Sequence, residues 1–284
     1  MADYFGVELT AQEAWFLADH LHAGSFPWTL AITGAYTNPA EREFFNEQMT
    51  KQLSEESSTR PIPVMSENGV VRTDVASWIR TVCASRQWLT WQITRSSDPN
   101  AIGRGVLART DVFPNVVVAL RWAQMVAFTP MEVPYSEALV PIITTGIEEK
   151  APARFEDFTI KMDAGARADQ LIKDGADSYE VAQSLGVPES AANLMAFARS
   201  EEVVNVEVQA HDAVNGSRRE TDVSVNLLNT VAGRILVSPP AGGPREGGES
   251  VFSPADPFAI AVALRDLTAR LPSGTWFPQE NLTL

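Results

Sequence analysis

The sequence has little with which to do covalent chemistry. Cys83 is the only cysteine among 284 residues, and His20, His22 and His211 are the only histidines. A single thiol excludes a disulfide framework and any site built on several thiolates, and it suits a reducing compartment. A basic balance is missing too. The 36 acidic residues outnumber the 22 basic ones and leave a net charge of −14, which opposes nucleic acid as a partner because phosphate binding needs a basic face. The apolar run Val116–Leu120 is far too short to cross a bilayer. The opening MADYFGVELT is acidic and polar, so no secretory signal is expected.

Motif chemistry is equally sparse. There is no P-loop, no GxSxG elbow and no HExxH pair, so no route to nucleotide hydrolysis, acyl transfer or zinc-dependent cleavage is visible. His20 and His22 stand two apart on a predicted helix and face different sides, so they cannot share a metal. His211 beside Asp212 reads as a solvated hairpin residue, and Cys83 as a small buried side chain. Gly103-Arg104-Gly105-Val106-Leu107-Ala108 matches GxGxxA. Dinucleotide binding requires a helix after those glycines, whereas here they enter a strand. The expectation is no catalysis, no cofactor, no metal and no small-molecule substrate.

What is present is a well-patterned core. Hydrophobic residues make up 45% and charged residues 20%, the balance of a soluble globular protein. A chain of this length buries roughly three-quarters of its unfolded surface. Thr10-Ala11-Gln12-Glu13 is a capping box opening a first helix. A second helix starts at Asn38-Pro39 with Phe44, Phe45 and Met49 turned inward, and a third near Asp74 carries Val75, Trp78, Ile79 and Val82. Leu89, Trp91 and Ile93 alternate as in a half-buried strand. Ser96 to Asn100 is turn chemistry, and strands are predicted over about 104–110, 116–121 and 124–129. A helix containing Leu139, Val140, Ile143 and Ile147 follows Pro134.

The second half repeats that order. Short helices are predicted within 163–200, then strands around Val204–Val208, Val223–Leu227 and Ile235–Val237, with Asn215-Gly216 as a hairpin signal. A last helix is capped at Asp256-Pro257 and buries Ile260, Leu264, Leu267 and Leu271. Ala127-Phe128-Thr129-Pro130 and Val251-Phe252-Ser253-Pro254 precede the two closing helices. The predicted class is therefore α+β: a central antiparallel sheet with flanking helices, one domain over 1–284, with pseudo-repeat halves of about 1–150 and 151–284.

Residues 181–199 have the spacing of a helix-turn-helix. Between Asp177 and Ser200 the only cation is Arg199, whereas a DNA-reading helix needs phosphate-binding cations around it. A DNA-binding regulator therefore stands as the alternative reading. Ala191, Ala192, Leu194, Met195 and Phe197 give that segment a packing or protein-contact surface instead.

Several blocks together resemble the EspG family. They are Val7-Glu8-Leu9-Thr10, the helix through Leu17-Ala18-Asp19-His20-Leu21, and Ser25-Phe26-Pro27-Trp28-Thr29-Leu30. Further on come Pro152-Ala153-Arg154-Phe155, Gly165-Ala166-Arg167-Ala168-Asp169, Gly233-Arg234-Ile235-Leu236-Val237-Ser238-Pro239 and Leu271-Pro272-Ser273-Gly274-Thr275-Trp276-Phe277-Pro278. In order they span most of the chain, and they look most like the EspG of the third ESX system. The resemblance implies a cytoplasmic chaperone of type VII secretion with a pseudo-twofold α+β fold. It implies a PE–PPE heterodimer as partner, bound through the helical tip of its PPE subunit. It further implies a surface made of the sheet, the loop of the first large hairpin and the C-terminal helices. On this sequence the candidate contacts are Ser97, Asp98, Asn100 and Arg104 at the hairpin, Trp122 between two strands, and Leu194, Met195 and Phe197 on the helices. The hairpin residues fit an ordinary solvated turn equally well, the helical three fit the core, and Trp122 fits either an exposed contact or longer strands.

Overall fold

The computed structural model describes residues 6–36, 38, 41–57, 60–192, 203–214, 217–240, 248–274 and 276–277. It forms two compact units, one of residues 1–90 and 103–133 and the other of 91–102 and 134–284.

The first unit opens with β1 (Val7–Thr10) and α1 (Ala11–His20). The predicted capping box is there: the Thr10 hydroxyl accepts the Glu13 amide at 3.1 Å, and the Glu13 carboxylate accepts the Thr10 amide at 2.7 Å. Then come α2 (Arg42–Ser54) and α3 (Thr73–Ala84), the start of β2 (Gln87–Arg95), most of β3 (Asp98–Arg109), β4 (Asn115–Trp122) and β5 (Met125–Glu132). The strands lie in the order β1-β5-β4-β3-β2, and β1 is the edge. In the antiparallel register Val7, Phe128, Ala119 and Val106 share one face, and all four are buried. Burial alternates along β1 and β5, as in strands covered on one face, whereas residues 105–108 of β3 and 116–119 of β4 are buried on both faces. Beneath α1 the Glu13 carboxylate also meets the Arg60 guanidinium at 3.0 Å, with both side chains almost wholly buried.

The second unit contains α4 (Leu139–Ile143), β6 (Phe158–Lys161), α5 (Met162–Lys173), α6 (Ser178–Ser184), β7 (Val204–Val214), β8 (Ser217–Glu220), β9 (Val225–Thr230), β10 (Gly233–Ser238), β11 (Glu249–Pro254) and α7 (Pro257–Ala269). Its strands run β7-β9-β10-β11-β6, and β8 pairs the far end of β7. Ile160, Ala182, Val187, Ala191, Ala192 and Ile235 form a core cluster that fixes the α5–α6 region on the sheet. Ala191 and Ala192 are therefore packing residues.

The pairings at the two edge strands are alike in register. Val7 lies opposite Phe128, and Phe158 opposite Phe252. Pro130 faces Val117 as Pro254 faces Ile235. A helix follows each edge strand directly, and its first amide donates across the sheet, Ala11 to the Gln124 carbonyl at 2.7 Å and Met162 to that of Gly248 at 3.0 Å. The tetrapeptides around Phe128 and Phe252 therefore occupy equivalent places.

Several sequence expectations need correction. β3 begins at Asp98, so the turn is Ser96-Ser97 alone and Asp98-Pro99-Asn100 belongs to the strand. β4 and β5 reach 115–122 and 125–132. β2 is buried on both faces from Trp88 to Trp91 rather than half-buried. Phe44 points outward at 64% exposure, leaving Met49 and Leu53 as the buried side of α2. The helix α4 stops at Ile143, before Ile147. His22 lies beyond the end of α1 with φ +50°. The edge strands β1 and β6, and β11 between β10 and β6, carry no long alternating pattern, because four to six residues show too few periods to read.

Candidate partner-binding surface

The first large hairpin joins β2 to β3 through Ser96-Ser97. The Ser96 amide and hydroxyl both donate to the Val203 carbonyl, at 2.9 and 3.2 Å. Ser97, Asp98, Pro99 and Asn100 are all exposed. The Asp98 carboxylate accepts the Asn100 amide at 3.1 Å. Pro99 offers no amide to a further strand, so the tip is a poor edge for sheet extension. Ser97, Asp98 and Asn100 thus sit together as a solvated polar tip in the second unit.

Arg104 and Trp122 belong to the first unit. Trp122 is the last residue of β4, half-buried, and its ring fills the space beside Gly103: a β-carbon there would come within 2.3 Å of it. That close approach explains the first glycine of the GxGxxA match without a cofactor. Met125, 41% exposed, pairs with Trp122 across the β4–β5 turn and shares its face.

Arg104 pairs in register with Arg121, and both point to the opposite face from Trp122. Neither guanidinium is left over for a phosphate. Arg104 donates to the Thr29 carbonyl at 3.3 Å, and Arg121 to the carbonyls of Leu30, at 2.7 Å, and Ala31. Burial, and then the charge of Arg104, pull the Arg121 pKa downward. Their common target is the short 3-10 turn Trp28–Leu30, with Ala31 left-handed behind it. In the sequence Trp28 stands out only as part of a family block and Arg121 not at all, because cross-strand register is not written in local spacing.

Leu194, Met195 and Phe197 lie outside the described residues. His211 is corrected: it is buried on β7, not solvated, and Asp212 beside it is wholly buried. Burial lowers the His211 pKa from 6.5 to about 4, and Glu220, 3.8 Å away but mostly exposed, does not offset it. The Asp212 carboxylate accepts the Ser273 amide at 3.0 Å. Among the described residues no group of His, Cys, Asp and Glu is placed to hold a metal ion, and no helix is long and apolar enough to cross a membrane.

The fold defines an α+β protein of antiparallel strands and packed helices. The chain belongs to the EspG family, whose sequence profile matches residues 10–266. It is 43% identical to the ESX-3 secretion-associated protein EspG3 of Mycolicibacterium smegmatis, covering 98% of this chain and 91% of that one. The EspG3 of Mycobacterium tuberculosis is 38% identical over 98% of this chain and 95% of its own. The ESX-1 protein EspG1 of M. smegmatis is 26% identical over 98% and 92%, so the chain is more like the third-system proteins than this first-system one. The fold matches M. tuberculosis EspG5, a type VII secretion chaperone solved in complex with the PE25–PPE41 dimer, with a TM-score of 0.73, 16% identity and coverage of 96% of this chain and 99% of that one.

Proposed function

We propose that this chain is a cytosolic chaperone and adaptor of ESX secretion, not an enzyme. It binds the helical tip of a cognate PPE protein within a PE–PPE heterodimer, keeps the pair soluble and directs it to the secretion system. The observation that carries this reading is the likeness to the ESX-3 secretion-associated proteins over nearly the full length. The fold shared with a chaperone solved on its PE–PPE dimer supports it. The chain acts as one EspG-like domain with pseudo-repeat halves of about 1–150 and 151–284. Ser97, Asp98, Asn100 and Trp122 belong to the contact surface, with Leu194, Met195 and Phe197 contributing from the helical region.

The physical task needs no fuel. An apolar helical tip in water is an exposed patch that invites association. A protein that covers it lowers the free concentration of the sticky form by mass action, and an interface of about 1,200–2,000 Å² suffices for a stable complex. The test is to tag this chain in its native cytoplasm and identify what co-purifies without nucleotide. PE and PPE peptides in equal amounts are expected. Recovery of every PE–PPE pair of that cell free of this chain contradicts the reading.

A further inference from the structure

The first unit's sheet ends at β1, which pairs with β5 on its inner side. Its outward main-chain groups follow from alternation. The Thr10 amide leaves the ladder and donates to the Glu13 carboxylate at 2.7 Å. Residues two apart on an antiparallel strand send their amide and carbonyl to the same side, so the N–H and C=O of Glu8 face outward as well. An unpaired edge of this kind is a template for an added strand.

Arg60 stands at that edge. Its side chain is nine-tenths buried, and two of its nitrogens are spent, Nη1 on Glu13 at 3.0 Å and Nη2 on the Gln52 carbonyl at 2.9 Å. The third, Nε, is buried with no hydrogen-bond partner in the protein, and folded chains seldom leave a buried donor unmet. Arg60 lines a cavity of about 30 Å³ together with Val7, Glu8, Pro61 and Arg72. That is room for a water, which needs two to four polar partners. The backbone beside β1 does not close the edge by pairing. Arg60 is engaged with Ser57 in both directions, at 3.1 and 2.9 Å, and Pro61 has no amide to give.

Charge decides what the cavity takes. Arg60 is answered by Glu13, and Arg72 by Asp74 through bonds of 2.7 and 2.9 Å. With both guanidiniums neutralised and Glu8 itself acidic, no positive charge is left over for an anion. A water suits the site: it accepts from two N–H groups and keeps two hydrogens for carbonyls.

We infer that one ordered water in this cavity joins Arg60 Nε to the outward amide of Glu8, so that β1 has no free amide for an added strand. Glu13 holds the Thr10 amide and the water holds that of Glu8. The inference is independent of the client reading.

Two measurements on the full chain test it. The first is diffraction from crystals grown in sodium bromide. An oxygen-sized peak within hydrogen-bond distance of Arg60 Nε and the Glu8 amide, without anomalous bromine signal, is expected. A bromine signal there makes the cavity a halide site and overturns the inference, as does a cavity with no ordered atom. The second is amide hydrogen exchange. The Glu8 amide, although outside the ladder, is expected to exchange roughly 100-fold or more slowly than in the unfolded chain, and exchange at the unfolded rate overturns the closed edge. Arg60→Lys keeps a cation for Glu13 but has no Nε–H, so it should release the Glu8 amide while the laddered Leu9 amide stays slow. Slow Glu8 exchange that survives this change overturns the part given to Arg60. If Arg60→Lys does not fold, the wild-type peak and the wild-type Glu8 rate decide.

Discussion

The ring of Trp122 occupies the place where residue 103 would carry a β-carbon, at 2.3–2.7 Å from the built position. This contact ties the end of β4 to β3 at the base of the hairpin strand. It also turns a glycine that looks like part of a nucleotide fingerprint into a packing requirement.

Gly103→Ala should therefore displace the indole and destabilise the chain by about 1–3 kcal/mol, the usual range for overpacking. Urea unfolding followed by tryptophan fluorescence measures it. The same substitution in a Trp122→Ala background should cost less than in wild type, because the clash is gone.

The Glu13–Arg60 pair gives a larger effect. Its 3.0 Å contact is nearly shut off from water, and Gln52 donates to the same Glu13 oxygen at 3.0 Å. Removing one partner of a buried ion pair leaves the other charged and unpaired, at a cost of about 3–5 kcal/mol. Arg60→Met should lose that much in denaturant midpoint measurements, and Glu13→Gln combined with Arg60→Met should lose less than the sum of the two singles.

His211 makes stability depend on pH. Its pKa falls from 6.5 to about 4 on folding because burial disfavours the charged ring. The unfolded chain thus binds the extra proton first as pH drops. Stability from this group is complete above about pH 6.5, is lost between there and about pH 4, and amounts to roughly 3 kcal/mol at most. Unfolding midpoints at pH 7.5, 6 and 5 should converge between wild type and His211→Gln as pH falls, since only wild type loses this contribution.

Gly233 is the second glycine the fold requires. Its φ is +116°, and a β-carbon would meet the backbone of Ala151 and Ala153 at 2.8–2.9 Å. Arg234 beside it donates to the carbonyl of Glu148 at 3.0 Å and to the side chain of Asn229 at 2.8 Å. Gly233→Ala should cost roughly 2–4 kcal/mol through strain and overlap together, and hydrogen exchange should speed up across residues 148–153.

Much of this fold is legible in the sequence wherever the signal is local. The Thr10–Glu13 box and the Asp256-Pro257 cap are where they were expected, with the Asp256 carboxylate accepting the Ala259 amide at 2.8 Å. Ile260, Leu264 and Leu267 form the expected buried stripe of α7, while Leu271 is buried just beyond the helix, which ends at Ala269. The likeness of the segments around Phe128 and Phe252 is local in sequence, and the register places both residues opposite edge strands. What the chain hides is pairing at long range. Nothing near Trp28 foretells that Arg104 and Arg121, some 75 to 90 positions away, close on its turn. Likewise His211 reads as a hairpin residue because Asn215-Gly216 follows it, and local spacing does not foretell that it is buried or that the neighbouring Asp212 accepts the Ser273 amide from 61 positions away.

The most direct measurement is light scattering on a size-exclusion column, loading this chain with a purified cognate PE–PPE heterodimer and no nucleotide. A single peak whose mass equals one copy of each of the three chains is the expected result. Separate peaks of free chain and free heterodimer, for every cognate pair, would contradict the account.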